Sequence, residues 1–132
     1  MRRRLLTAAM VSSVLSTMLA VGACSSPSQP TRTYTLNATL AQGVHLSGPY
    51  GATMTGPNGF SCSMSPIQES VTCAPVSYPL GTSVALVVTI TIPSFANEAP
   101  IYSASGCDSL TKDTCTILMN ANRTVTIRAG WL

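Results

Sequence analysis

Five cysteines and a single histidine carry most of the reactive side-chain chemistry in this 132-residue chain. Cys62, Cys73, Cys107 and Cys115 share its C-terminal part, and Cys24 stands apart near the N-terminus. Thiols at such spacings either form disulfides or hold soft metals. A structural zinc site takes about four Cys or His ligands. With four thiols oxidised, His45 could not build one alone. Met54, Met64 and Met119 beside His45 would offer soft ligands for copper. Methionine more commonly fills cores and loops. His45 would also have to serve as the base of any Ser-His-Asp set, which is defined by geometry rather than by the presence of its members. Asp108 and Asp113, with Ser109 and Thr111 between them, could meet a calcium ion, but their spacing departs from the EF-hand loop. Glu69 and Glu98 fall in separate loops and offer no carboxylate pair for glycoside hydrolysis. The expectation is of no catalytic residue, no metal and no cofactor.

Cys24 sits in a different context. Arg2, Arg3 and Arg4 open the chain, an apolar stretch from Leu5 to Leu19 follows, and small residues lead to Val21-Gly22-Ala23-Cys24. That order is a signal-peptide pattern. Five hydroxyl residues in the apolar stretch count against a membrane-spanning helix, which wants about 20 mostly apolar residues. The Val21–Cys24 run resembles the lipobox of bacterial lipoproteins. That resemblance implies cleavage before Cys24, lipidation of its thiol with fatty acyl chains such as palmitate, and attachment to the cell envelope. Ser25 follows where an aspartate would imply retention in the inner membrane, so the resemblance implies the outer membrane. An odd cysteine in an exported protein needs an explanation, and lipidation of Cys24 leaves four cysteines free to pair.

Removing residues 1–23 from 132 leaves 109, enough for one small domain. The formal charge of +3 disappears with the leader arginines. What remains is Arg32, Lys112, Arg123 and Arg128 against Glu69, Glu98, Asp108 and Asp113. Nucleic-acid binding needs a clustered basic face, and polybasic adhesion to lipid headgroups needs the same. Neither is expected here; membrane attachment would run through the lipid. Ser25 to Thr33 is polar and proline-bearing and reads as a flexible tether, so residues 24–33 form the lipidated cysteine with its tether and 34–132 the domain. Asn37-Ala38-Thr39 and Asn122-Arg123-Thr124 match the glycosylation sequon, a chance match in a bacterial lipoprotein.

The domain reads as β throughout. Tyr34 to Leu40 alternates apolar and polar residues, the period of a half-buried strand, and Val44 to Leu46 suggests a second short strand. Gly48 to Gly59 is dense in Gly, Pro and Asn and argues against a helix; Gly56-Pro57-Asn58-Gly59 reads as a tight turn with Asn58 or Gly59 at positive φ. Thr82 to Ile92 is the strongest strand, with Val84, Leu86, Val88, Ile90 and Ile92 on one face. A strand over Cys115 to Met119, a turn at Asn120 to Asn122 and a last strand with Val125 and Ile127 facing inward complete the reading. Cys62 with Cys73 would close a hairpin-like loop, and Cys107 with Cys115 would clamp Asp108 to Asp113. Four cysteines permit three pairings, and spacing leaves the other two open.

The order of these segments resembles the internalin B-type repeat of bacterial surface and secreted proteins. The resemblance runs from about Val44 to Trp131. Its marks are Gly56-Pro57-Asn58-Gly59-Phe60-Ser61-Cys62, then Cys73, then Gly81-Thr82-Ser83-Val84-Ala85-Leu86. Ser105-Gly106-Cys107, Cys115-Thr116-Ile117-Leu118-Met119 and Thr124-Val125-Thr126-Ile127 follow. Ile101-Tyr102-Ser103-Ala104 stands where the family has a tryptophan, and Trp131 is a candidate for its final aromatic. The resemblance implies a small, mainly β fold of β-grasp type used as a spacer, adhesion or binding module for an envelope or surface protein or a glycan. A second expectation is an anchored inhibitor, similar to the small disulfide-bonded lysozyme inhibitors of the envelope. It would act through Glu69 or Lys112 on a cysteine-clamped loop.

Overall fold

The computed structural model describes residues 30–45, 50–91 and 99–131. The leader, Cys24 and most of the tether lie outside them, as do Leu46, Ile92 and Glu98. Among the described residues ten strands form two five-stranded sheets. The first sheet holds β1 (Thr33–His45), β4 (Ser70–Thr72), β5 (Val76–Pro79), β7 (Pro100–Ser105) and β10 (Arg123–Trp131). The second holds β2 (Gly51–Thr55), β3 (Ser61–Met64), β6 (Ser83–Thr91), β8 (Ser109–Thr111) and β9 (Thr114–Leu118). The expectation of a small, mainly β domain holds. No α-helix occurs among the described residues; the layer that covers the first sheet is a second sheet.

In the first sheet β1 and β10 run parallel at the centre, from Leu36 opposite Arg123 to Gln42 opposite Ala129. The other edge of β1 is shared by two short antiparallel strands, β5 against residues 33–36 and β4 against residues 39–41. β7 closes the far side against β10. The second sheet is antiparallel in the order β3-β2-β6-β9-β8.

Period-two alternation explains which residues face inward. Leu36, Ala38 and Leu40 of β1 and Val125, Ile127 and Ala129 of β10 are buried against Met54, Val84, Leu86, Val88 and Ile117 of the second sheet. No charged or amide side chain among the described residues is buried. The inward face of β6 is as the sequence predicts, and Ser83, Ala85, Thr89 and Thr91 face out. Asn58 and Gly59 both take positive φ, at 59° and 74°, in the 3-10 turn Pro57–Gly59.

Three details differ from the sequence reading. Val44 and His45 do not begin a second strand. They complete β1, which resumes pairing with β10 at His45 opposite Trp131 after an irregularity. The irregularity has a physical cause. A Cβ on Gly43 would stand 3.0 Å from the Ala129 carbonyl oxygen, so the strands approach closely there. The buried Tyr50 hydroxyl fills the gap in the ladder, accepting from the Gly43 N–H at 3.0 Å and donating to the Ala129 carbonyl. Burial pushes the Tyr50 phenol above its ordinary range, and the Gly43 bond offsets part of that. Second, the turn-rich segment 48–59 contains strand β2, whose inward Ala52 and Met54 are masked in the sequence by the glycines at its ends. A Cβ on Gly56 would meet Leu86 Cδ2 at 2.9 Å, so that side chain would have to shift to admit one. Third, the first strand begins at Thr33, one residue inside the expected tether, and the Arg32 carbonyl accepts from the Leu80 N–H at 2.8 Å.

Cys62 bonds to Cys73 and Cys107 to Cys115. The first bond does not close a hairpin. β3 and β4 belong to different sheets, so it staples the two layers where the chain crosses between them. The second ties Cys107, in the crossing after β7, to Cys115 of β9 and so closes the span that holds β8 and the β8–β9 turn. Gly106 makes that crossing possible: its φ is 85°, and a Cβ would strike the Thr124 carbonyl oxygen at 2.1 Å. Tyr78 adds a third tie, donating from the first sheet to the Pro57 carbonyl at 3.1 Å.

The 11-residue separation of Cys62 and Cys73 sets the cost of losing that bond at about 2.5–3 kcal/mol on the chain-entropy account. The double variant Cys62→Ala/Cys73→Ala is expected to lose that much unfolding free energy in urea titration while remaining β-rich by circular dichroism. Gly106→Ala is expected to cost more than Gly59→Ala, whose side chain meets open space, in the same titration.

Candidate functional site

The residues singled out for chemistry do not converge. Met54, Met64 and Met119 are buried in the hydrophobic core between the sheets. His45 ends β1, and its side chain lies outside the described residues. Asp108 and Asp113 have separate structural partners. The Asp108 carboxylate accepts from the Leu118 N–H at 2.6 Å and from Arg123 Nη2 at 2.6 Å, and Arg123 also donates to the Gly106 carbonyl at 2.9 Å. Asp113 accepts from the Thr114 hydroxyl at 3.0 Å. The two aspartates therefore hold the β7–β8 crossing and the β8–β9 turn, and no group of three or more His, Cys, Asp or Glu side chains gathers among the described residues. Asn37 is exposed on β1, while Asn122 accepts from the Thr35 N–H at 2.9 Å and tucks the last turn against the first strand. Lys112 stands at the β8–β9 turn with φ of 54°.

Glu69 lies in a more developed setting. It ends the five-residue segment Ser65-Pro66-Ile67-Gln68-Glu69, inside the span closed by Cys62 and Cys73. The segment is held internally by Ser65 N–H to Gln68 Oε1 at 2.9 Å and Gln68 N–H to the Ser65 carbonyl at 3.1 Å. It is held externally by Gln42 of β1. The Gln42 side-chain amide donates to the Pro66 carbonyl at 3.2 Å and the Gln68 carbonyl at 2.7 Å, and its backbone N–H donates to the Glu69 carbonyl at 2.8 Å. These bonds leave the loop less freedom to lose on binding. At its tip Ile67 is 92% exposed. A large aliphatic side chain on an ordered loop gives up water, and little else, when a partner covers it.

Beside the loop lies an open groove of about 400 Å³ lined by Ala41, Gln42, Gly43, Glu69, Ser70 and Arg128. Arg128 projects from the outer face of β10 and reaches the Gln42 carbonyl at 3.4 Å. Around it the outer face of the first sheet is a field of short hydroxyls, including Thr39, Thr72, Ser103, Ser105, Thr124 and Thr126. The arrangement presents a rigid apolar tip, an acid beside it and a cation across the groove. Sequence reasoning reached Glu69 but missed Ile67 and Gln42. The available signal was Ile67 itself, one large apolar residue between Pro66 and Gln68 in an otherwise polar run.

Comparison of the chain with protein-family models, with curated proteins and with solved structures finds no match.

Two outcomes follow from this geometry. Gln42→Ala removes two side-chain bonds, at a cost of about 1 kcal/mol or less for so exposed a pair. Amide exchange is expected to quicken at Gln68 with the rest of the domain unchanged. The Leu118 N–H first, and then Arg123, hold the Asp108 carboxyl below its ordinary value. The bonus is therefore complete above about pH 4, the unfolded carboxylate value, and fades as acid carries the pH down through the lowered folded value. Acid unfolding of Asp108→Asn is expected to show a shallower loss of stability below pH 4 than that of the parent.

Proposed function

We propose that the protein is a non-enzymatic lipoprotein of the bacterial cell envelope, tethered through lipidated Cys24 and carrying one β domain that binds, adheres or spaces. The observation that carries this reading is the disulfide pattern. Four of the five cysteines pair with one another inside the domain. The fifth is the cysteine of the lipobox-like Val21-Gly22-Ala23-Cys24, outside the described residues. Its thiol is thereby accounted for without a further disulfide partner in the domain. The direction of the chain also supports tethering, since residues 30–32 run out from the domain beside Leu80. Ser25 after the cysteine favours the outer membrane. The commitment of Asp108 and Asp113 to structural bonds supports a binding rather than a catalytic domain.

Growth with an alkyne analogue of palmitate tests the anchor. The expected result is label on the wild type, none on Cys24→Ser, and recovery of the labelled form with outer-membrane material. A soluble, unlabelled product in wild-type cells would sink the proposal.

The Ser65–Glu69 loop favours a second reading, a lipid-anchored inhibitor of an envelope-targeting enzyme such as lysozyme. An exposed aliphatic tip on a disulfide-clamped loop, with Glu69 adjacent, suits insertion into a cleft. Inhibition at micromolar protein, lost in Ile67→Ser and Glu69→Gln, is the expected outcome; undiminished lysozyme activity removes this reading.

A further inference from the structure

Among the described residues Asn58 alone of the asparagines is followed by glycine; Ala38 follows Asn37, Ala121 follows Asn120 and Arg123 follows Asn122. The difference is chemical. The backbone nitrogen of the next residue can close a five-membered ring onto an asparagine side chain, and a Cβ on that residue crowds the attack. Glycine has none. Asn58 and Gly59 are both exposed, in the connection between β2 and β3. The space around Gly59 is open, since a Cβ there would meet nothing within 4 Å. The Asn58 side chain has no hydrogen-bond partner among the described residues, whereas Asn122 is tied through Oδ1 to the Thr35 N–H.

We propose that Asn58 is a site of spontaneous covalent modification, deamidation through a cyclic imide, and that the Pro57–Gly59 turn sets its pace. The Gly59 nitrogen attacks the Asn58 Cγ and loses its proton, and the side-chain nitrogen leaves as ammonia. The succinimide that forms takes up one water. Cleavage of its bond from nitrogen to the side-chain carbonyl gives aspartate. Cleavage of the bond to the main-chain carbonyl gives isoaspartate, with the backbone rerouted through Cβ. In the native turn the attack is held off. Asn58 sits at φ 59° and ψ 29°, which points the Gly59 nitrogen away from the Asn58 Cβ. The 3-10 pattern also directs the Gly59 N–H to the carbonyl three residues back. The turn is fixed by the Gly56 N–H to the Phe60 carbonyl at 2.9 Å and the Phe60 N–H to the Pro57 carbonyl at 3.3 Å. The Tyr78 hydroxyl donates to that same Pro57 carbonyl at 3.1 Å. Conversion therefore waits on local opening, and an exposed three-residue turn that buries no side chain lies at the easily opened end of the range. Isoaspartate adds one backbone methylene between Pro57 and Phe60 and puts a carboxylate into a turn without a charged residue. Phe60 is buried in the core, so the lengthened turn loosens the backbone beside a core anchor. The proposal stands independently of the lipid anchor and of any partner.

The test incubates the whole protein in detergent, folded and, separately, reduced and denatured, at neutral and at mildly alkaline pH. Peptide mapping by mass spectrometry reads each asparagine for a gain of about 1 Da. Methyl transfer by a protein isoaspartyl methyltransferase reads the isoaspartate. Folded protein is expected to gain the mass at Asn58 before any other asparagine, and faster at the higher pH, where the attacking nitrogen loses its proton more readily. The folded rate is expected to be roughly threefold or more below that of the denatured chain. Gly59→Ala is expected to slow conversion roughly tenfold in the denatured chain, where the variant's effect on folding plays no part. Tyr78→Phe keeps the buried ring and removes the tie, and is expected to quicken conversion roughly twofold in folded protein whose circular dichroism matches the parent. Amide exchange at Phe60 is expected to be faster in the isoaspartyl form than in the parent. A first gain at another asparagine overturns the assignment. So does an Asn58 with no conversion in folded protein once the denatured chain has converted fully. Equal rates in folded and denatured protein, or a Tyr78→Phe variant no faster than the parent, overturn the control by the turn, and unchanged Phe60 exchange overturns its loosening.

Discussion

The first strand lies parallel against the last, and the remainder of the sandwich is organised around that contact. A parallel pair cannot be closed by a tight turn, so the whole domain must be threaded between β1 and β10. The entropic cost of joining such distant segments is offset by burial. Leu36, Ala38 and Leu40 lie in register near Val125 and Ile127, and all of them press onto the second sheet. Where the two strands come too close for an ordinary residue, Gly43 and the Tyr50 hydroxyl take up the mismatch.

The chain passes repeatedly from one sheet to the other, and among the described passages those after β3 and β7 each carry a disulfide. The fold treats these crossings with covalent and polar ties. Cys62–Cys73 joins the layers after β3, and Cys73 also donates its N–H to the Ala38 carbonyl at 2.9 Å. Cys107–Cys115, Gly106 and the Arg123–Asp108 pair hold the passage after β7. A small domain buries a limited fraction of its surface, and such ties are the usual supplement. They have a functional consequence as well. The crossing closed by Cys62 and Cys73 is the one that carries Ile67 and Glu69, so the bond that stabilises the sandwich also rigidifies its most exposed apolar tip.

The strands with strict alternation were legible in the amino-acid order: β1 from Tyr34, β6 from Ser83 and the core of β10. Their inward faces follow from period two alone. β2 was hidden because Gly51 and Gly56 bracket it, and glycine signals a turn although the residues between them pair with strands on both sides. β4, β5, β7 and β8 are three to six residues long, too short for a periodic pattern to rise above chance. They exist because longer neighbours leave edges to be paired. Val44 and His45 looked like a separate strand because Gly43 interrupts the pattern, yet β10 continues alongside and recovers them.

Composition, charge balance and cysteine number depend on no contact, and they already pointed to a small, nearly neutral, disulfide-bonded β domain. Local alternation decided which side chains of the long strands face inward, because a strand's two faces are set by backbone geometry. The tertiary structure alone decided which cysteines meet, that β1 lies beside β10, and that Gln42 grips the Ser65–Glu69 loop 24 to 27 residues away in the chain. These are meetings of distant segments. Their outcome depends on how two layers bury a common core, a quantity that no local window of the sequence contains.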